Sequence, residues 1–195
     1  MIRLYGVPNS RVFRCIWVCG ELSLRYEVVP IDYHGQNRRP EFLKINPNGQ
    51  IPAMDDGGLI LWESMAINLY LADRYGDGRL LPRDPVQRGE IYQWTLWSAC
   101  EVEGPVDASA KLGMRMRPDW LDDRLEVIGS RLQDSAWLGG DAFSLADLHV
   151  AAMLMRPAVP WRDVKTGHSA VAEWFEQCAG RDAFLRTDVI RRDSA

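Results

Sequence analysis

Residues 11–20, RVFRCIWVCG, read as a helix whose side chains are apolar on nearly every face. An ordinary surface helix keeps its apolar residues on one stripe, whereas a helix apolar all round has to be covered on all sides. This one lies between two short β-type runs, Ile2–Tyr5 and residues 26–32, the second holding Pro30 and therefore suited to a sheet edge. Two strands joined through a helix run parallel with a right-handed crossover. The start of the chain thus demands a layered α/β arrangement with this helix as its buried filling.

The remaining elements extend that arrangement. Residues 40–46 suit a short helix with proline near its start. Residues 51–54 and Leu59–Trp62 flank Asp55-Asp56-Gly57-Gly58, two β runs around turn residues, which signals a hairpin. Ser64–Tyr75 reads as a helix with Met65, Leu69 and Ala72 at helical spacing and Gly76 at its end. Residues 1–76 therefore read β-α-β-α-β-β-α, a mixed four-stranded sheet with helices on its faces. Residues 77–85, DGRLLPRDP, form the linker. Residues 86–195 read as all helical, with segments at 86–111 (interrupted near Gly104-Pro105), 119–136, 145–156 and Ser169–Ala179. Ser144-Leu145-Ala146-Asp147 fits a capping box opening the third of these.

The 195 residues, 47% hydrophobic and 26% charged, supply a core for one large or two small domains. A formal net charge of −4 and basic residues no denser than the pairs Arg38-Arg39 and Arg191-Arg192 argue against a nucleic-acid partner. No apolar run approaches the roughly eighteen residues of a spanning helix, so no membrane association is expected. Cys15, Cys19, Cys100 and Cys178 have neither CxxC spacing nor zinc-type pairing with histidine, which points to a reduced, cytoplasmic setting and no metal.

Four segments, in order, carry a family likeness: LYGVPNSRVFR, PEFLKINPNGQIPAM, LWESMAINLYLADRYG and WLGGDAFSLADLHVAAM. With them the chain resembles the cytosolic glutathione transferases over nearly its whole length. The resemblance implies an α/β plus all-α fold: a thioredoxin-like domain at 1–76 that binds glutathione, then a helical bundle at 86–195. It implies a homodimeric detoxification enzyme that transfers glutathione, its co-substrate, to a small electrophile. It also implies that Pro52 is cis and that the backbone of Ile51 pairs with the cysteinyl part of glutathione, as an added strand would.

On the same likeness, Ser64 donates to the γ-glutamyl carboxylate at a helix N-terminus, where free N–H groups and the dipole favour anions. Glu63 takes up the ammonium group, Gln50 assists at the glycyl end or the backbone, and Lys44 neutralises the glycyl carboxylate. The task of such an enzyme is to ionise a thiol that ordinarily titrates near 8.5. Ser10, just before the first helix, is the first candidate donor to the sulfur, with plain helix capping as its competing role; Asn9 and Tyr5 are the others. Cys15 as a nucleophile would make the protein a glutathione-dependent disulfide reductase, but an apolar helix suits an inert core cysteine better. Isomerase and dehalogenase chemistry, or a non-catalytic binding module, remain open on the same fold. Trp94, Trp97, Met114 and Met116 are candidate lining for the electrophile.

Overall fold

The computed structural model describes residues 1–113, 120–155 and 161–194. Its chain divides into two compact units, Met1–Arg79 with Arg181–Ala195, and Leu80–Gly180.

In the first unit, β1 (Ile2–Tyr5), α1 (Val12–Glu21), β2 (Tyr26–Val29), α2 (Pro40–Leu43), β3 (Ala53–Asp56), β4 (Leu59–Trp62) and α3 (Ser64–Tyr75) follow in the expected order. A short 3-10 turn, Gln36–Arg38, precedes α2. The strands lie in the order β2-β1-β3-β4. β1 pairs parallel with β2 and antiparallel with β3, and β3 pairs antiparallel with β4. β2 is an edge strand and stops at Val29, where Pro30 withdraws an N–H. The hairpin differs from expectation by two residues. Asp55 and Asp56 pair as strand, and Gly57-Gly58 alone make the turn. Both glycines have positive φ (62° and 102°), the backbone that two-residue hairpin loops require.

α1 is covered as its composition demands: Val12 through Cys19 are all buried, Arg14 included. α3 packs on it, but through Ile67, Asn68, Leu71 and Ala72, while Met65 and Leu69 stay half-buried. α3 is apolar on several faces, so its stripe is chosen by its neighbour rather than by its own pattern.

Sequence places the end of the chain in the helical domain. Instead the last helix, α10 (Asp182–Asp193), packs on α1 in the first unit. Phe184 meets Trp17 edge to face at 4.9 Å and Phe13 at 5.7 Å. Arg181 grips Glu21 with two 2.7 Å bonds, and the Trp17 indole donates to the same carboxylate at 3.0 Å. The helices approach closely because Gly20 has no side chain; a Cβ there would lie 3.1 Å from that of Ala183.

The second unit holds α4 (Pro85–Trp97), α5 (Gly104–Leu112), α6 (Trp120–Asp134), α7 (Leu145–Leu154), α8 (Trp161–Gly167) and α9 (Ser169–Ala179). The expected interruption appears as a π-helical segment, Ser98–Glu103, joining α4 to α5. Pro105 cannot donate to the carbonyl of Glu101 four residues back, and its ring crowds that oxygen. The widened turn relieves the conflict. Arg124 of α6 takes over the Glu101 carbonyl at 3.3 Å and its carboxylate at 3.1 Å.

The capping box at α7 is present. Asp147 does more than close it: its carboxylate accepts from the N–H of Ser144, the Ser144 hydroxyl, the N–H of Leu138 and the indole of Trp174, at 2.8–3.0 Å. Burial pushes the Asp147 carboxyl above its ordinary pKa, and these four donors pull it part of the way back. Asp147→Ala strands buried donors, so urea titration should show a loss of about 2–4 kcal/mol. A loss under about 1 kcal/mol would mean that water replaces the carboxylate at little cost.

Candidate active site

One register row organises the first unit. Val29, Tyr5, Ala53 and Trp62 lie side by side across β2, β1, β3 and β4. The residues just past that row, Pro30, Gly6, Pro52 and Glu63, therefore leave the sheet at one end. That end carries nearly every candidate named from sequence.

Gly6 is the point of convergence. Its φ of +139° suits glycine alone, and a Cβ would fall 2.5 Å from Val12 and 3.0 Å from Ile51. The end of β1, the start of α1 and the Ile51 segment can meet only because this side chain is missing. The Ile51–Pro52 peptide is cis, and both residues are buried.

Ser10 sits in the turn before α1, half-buried. Its hydroxyl donates to the Val7 carbonyl at 2.6 Å and accepts from the N–H of Val12 at 3.2 Å, which ties down the turn one residue ahead of Arg11, the N-cap position of α1. Asn9 beside it is exposed. Tyr5 packs with Phe42, Ile51 and Ala53, its ring tilted against Phe42 at 6.4 Å, as strand core does.

Glu63 occupies the N-cap position of α3 with φ 71°, a backbone that non-glycine residues seldom adopt, and its exposed side chain does not cap the helix. Such departures cluster where the chain presents itself to a ligand. Ser64, the first residue of α3, is buried. Beneath it lies Cys15, whose thiol contacts the Ser64 carbonyl at 3.8 Å.

Gln50 is exposed, and its carbonyl is held by the Asn46 amide at 2.7 Å. Asn46 also accepts from Asn48, while buried Asn37 donates to the Gly49 carbonyl at 2.9 Å. These two asparagines shape the Asn-Pro-Asn-Gly-Gln segment, a role for side chains that sequence reading left unassigned. Arg38, read from sequence as half of a surface pair, reaches the Asn48 carbonyl at 3.3 Å and so sets a guanidinium one residue from Gly49 and two from Gln50. Lys44, the last cation on this stretch, is exposed after α2. Tyr33, beyond the end of β2, points its hydroxyl at the Ile51 carbonyl, 3.4 Å away. No local pattern marks Tyr33 or Arg38, since each acquires its place through a partner ten or more residues away.

Among the described residues no group of histidine, cysteine or acidic side chains could hold a metal. Trp94 and Trp97 form an edge-to-face pair at 5.2 Å in the second unit, Trp94 buried and Trp97 half-buried. Met114 and Met116 lie outside the described residues.

Residues 1–73 match the family model for the glutathione S-transferase N-terminal domain, and residues 120–182 match that for the C-terminal domain. A glutathione S-transferase of Hyoscyamus muticus is 35% identical over 95% of this chain and 96% of its own. The crystal structure of poplar glutathione transferase F1 superposes with a TM-score of 0.85 at 27% identity, covering 98% of both chains. A glutathione S-transferase-I bound with lactoylglutathione gives a TM-score of 0.81 at 28% identity, covering 97% of this chain and 99% of its own. The chain belongs to the glutathione S-transferase family, and its two units have the fold of that family: a thioredoxin-like sheet domain and a helical part. Glutathione transfer is the activity that membership brings.

The cysteines bear on the chemistry. Cys15, Cys19 and Cys178 are buried, and Cys100 is exposed. Burial drives the Cys15 thiol far above its ordinary range, and pushes Cys19 up to about 12. Neither has a usable thiolate at neutral pH. In the native protein at pH 7.5, a colorimetric thiol reagent should titrate Cys100 quickly and the three others only on denaturation. Rapid loss of the Cys15 thiol would restore the reductase reading.

Proposed function

We propose that the end of the sheet beyond the Val29–Tyr5–Ala53–Trp62 row binds glutathione and holds its thiol ionised for attack on a small, apolar electrophile. The observation that carries this reading is the shared exit of Gly6, Pro52 and Glu63 from one register row. It sets an anion-binding helix start, a strand end and the first turn of α1 around one place. The N-terminus of α3, with the Ser64 hydroxyl, suits the γ-glutamyl carboxylate. The Glu63 side chain, turned outward by its backbone, suits the ammonium group. The backbone of Ile51 offers the cysteinyl segment a strand edge. Gln50 and Lys44 serve the glycyl end, and Arg38 adds a fixed cation beside Gln50.

The sulfur then faces the turn before α1. Lowering a thiol pKa by about two needs roughly 2.7 kcal/mol of preference for the charged form. One hydroxyl together with free N–H groups at a helix start supplies energy of that order. Ser10 gives up its Val7 carbonyl for the better acceptor, a thiolate, and Asn9 stands beside it with an exposed amide.

The assembly is a homodimer in this reading. β4 is an edge strand, and Leu59, Ile60 and Trp62 on it are exposed, as are Val86 and Leu96 on α4. An uncovered apolar edge invites uncontrolled pairing, and a second copy of the chain covers it in a defined way. Four free cysteines suit a reducing, cytoplasmic setting. Among the described residues no helix is long and apolar enough to cross a membrane.

Titration calorimetry with glutathione is the primary test; heat absent up to millimolar ligand would dismiss the enzymatic account. Given binding, Ser64→Ala should weaken it about tenfold, or ~1.4 kcal/mol. Ser10→Ala should raise the pKa of the bound thiol by about one, read from thiolate absorbance, and cost ~1 kcal/mol of stability for the lost hydroxyl bonds in the turn before α1. Turnover of a chlorinated dinitrobenzene should far exceed that of a glutathione mixed disulfide. Ile60→Lys should yield a monomer by light scattering; a dimer that persists would place the interface elsewhere.

A further inference from the structure

β4 passes into α3 through Glu63 alone, with no loop between them. The backbone of Glu63, φ 71° and ψ 110°, lies outside the regions that a non-glycine residue prefers. Such a conformation persists only where the elements on either side leave the chain no other path. Glu63 adds no side-chain cap at the near end of α3. Ile67, Leu71 and Ala72 bury one face of the helix, but apolar burial has no direction of its own.

Directional bonds lie at the other end. Asp56, last in β3 and paired with Leu59 of β4, accepts on one carboxylate oxygen from the Tyr70 hydroxyl at 2.8 Å and the Tyr75 hydroxyl at 2.6 Å. The two rings meet edge to face at 6.4 Å, and the Arg74 guanidinium lies over the Tyr75 ring at 5.6 Å. Bonding to Asp56 pushes the Tyr70 hydroxyl up to about 12 and raises that of Tyr75, so both stay protonated donors through the neutral range.

Tyr70 and Tyr75 stand five residues apart, hence about 140° apart round the helix and ~7.5 Å along it. One such bond would leave α3 free to roll or tilt, whereas two at different heights and angles restrain both. The hairpin, Glu63 and α3 thus close a ring, with the unusual backbone at one corner and the Asp56 clasp at the other. The direction in which the Ser64 hydroxyl and the first N–H groups of α3 point is set roughly 9–16 Å away along the helix, at the two tyrosines. In the reading above those groups receive the γ-glutamyl carboxylate, and Glu63 receives the ammonium group. Hydrogen bonds weaken steeply when misdirected, so both contacts depend on that setting.

We propose that Asp56, Tyr70 and Tyr75 are positioning residues for the γ-glutamyl end of glutathione, and that their clasp makes the site selective for thiol peptides carrying that group. The proposal rests on the glutathione site described above. The three residues act through Glu63 and Ser64 and do not touch the ligand. The turn with Asn9 and Ser10 leads into α1, which α10 holds independently, so the sulfur end does not depend on the clasp.

Tyr70→Phe combined with Tyr75→Phe keeps both rings and removes both hydroxyls. With a chlorinated dinitrobenzene as electrophile, KM for glutathione should rise about tenfold while kcat stays within a factor of two. The pKa of the bound thiol, read from thiolate absorbance, should not move. N-acetylcysteinylglycine keeps the cysteinyl N–H and lacks the γ-glutamyl carboxylate and ammonium. Its kcat/KM should change by less than a factor of two, so the preference for glutathione over it should fall about tenfold. Asp56→Ala should reproduce the rise in KM, and Asp56→Asn, which retains an acceptor oxygen, should restore most of it. Should the double variant not fold, Tyr75→Phe alone is read by the same criteria. An unchanged KM for glutathione overturns the role of the clasp and leaves the site standing. An equal loss for both thiols, or a shifted thiol pKa, also overturns it, since the clasp would then only support the unit as a whole. Wild-type protein that binds no glutathione removes the site itself and this proposal with it.

Discussion

The enclosure of α1 governs the first unit. A helix with eight consecutive buried positions cannot rest on a sheet alone. It needs β1 and α3 on its inner sides and another surface behind it, and α10 is that surface. Phe13 and Trp17 meet Phe184, and Gly20 admits Ala183. The cover also fixes the helix in direction, since Glu21 at its last turn is clamped by Arg181. With α1 immobile, the turn holding Asn9 and Ser10 has a fixed place against Gly6 and Ile51.

The second constraint is the register. Because side chains alternate along a strand, a slip of one residue would invert every inward position of β3. The two-glycine turn at Gly57-Gly58 sets that register, and Asp56 reinforces it by accepting from Tyr70 at 2.8 Å and Tyr75 at 2.6 Å on α3. The hairpin is thereby tied to the helix whose opposite end carries Ser64. The site is thus assembled by elements whose stabilising contacts lie away from it, which leaves the rim residues available for a ligand.

Much of this was legible in the residues. β1, β4, α3 and the cap of α7 depend on short-range signals: alternation, turn glycines, and Ser-x-x-Asp spacing. Three of the four family-type segments converge on one end of the sheet, and the fourth opens α7 in the second unit. What escaped was long-range. The inward stripe of α10 is Ala183, Phe184, Thr187 and Asp188, half of it polar, so periodicity does not announce a buried helix there. Asp188 is tolerated near the core because Arg191 and Arg192 both reach it. Tyr33, Arg38 and Asn37 gain their places from partners ten to eighteen residues away, which no local pattern reveals. The π segment was foreseen as a break at Gly104-Pro105 but not as a widened turn, because the outcome depended on Arg124 being at hand to receive the displaced carbonyl.

The wrapping of α10 onto α1 has a consequence for biosynthesis. While the ribosome is still adding the helical part, the nascent sheet unit has one flank of its central helix bare, with Phe13 and Trp17 open to solvent. It can be sealed only when residues 181–193 clear the exit tunnel. The half of the molecule made first is therefore among the last to be finished, and a chaperone that shields aromatic surface has its natural opportunity in that interval.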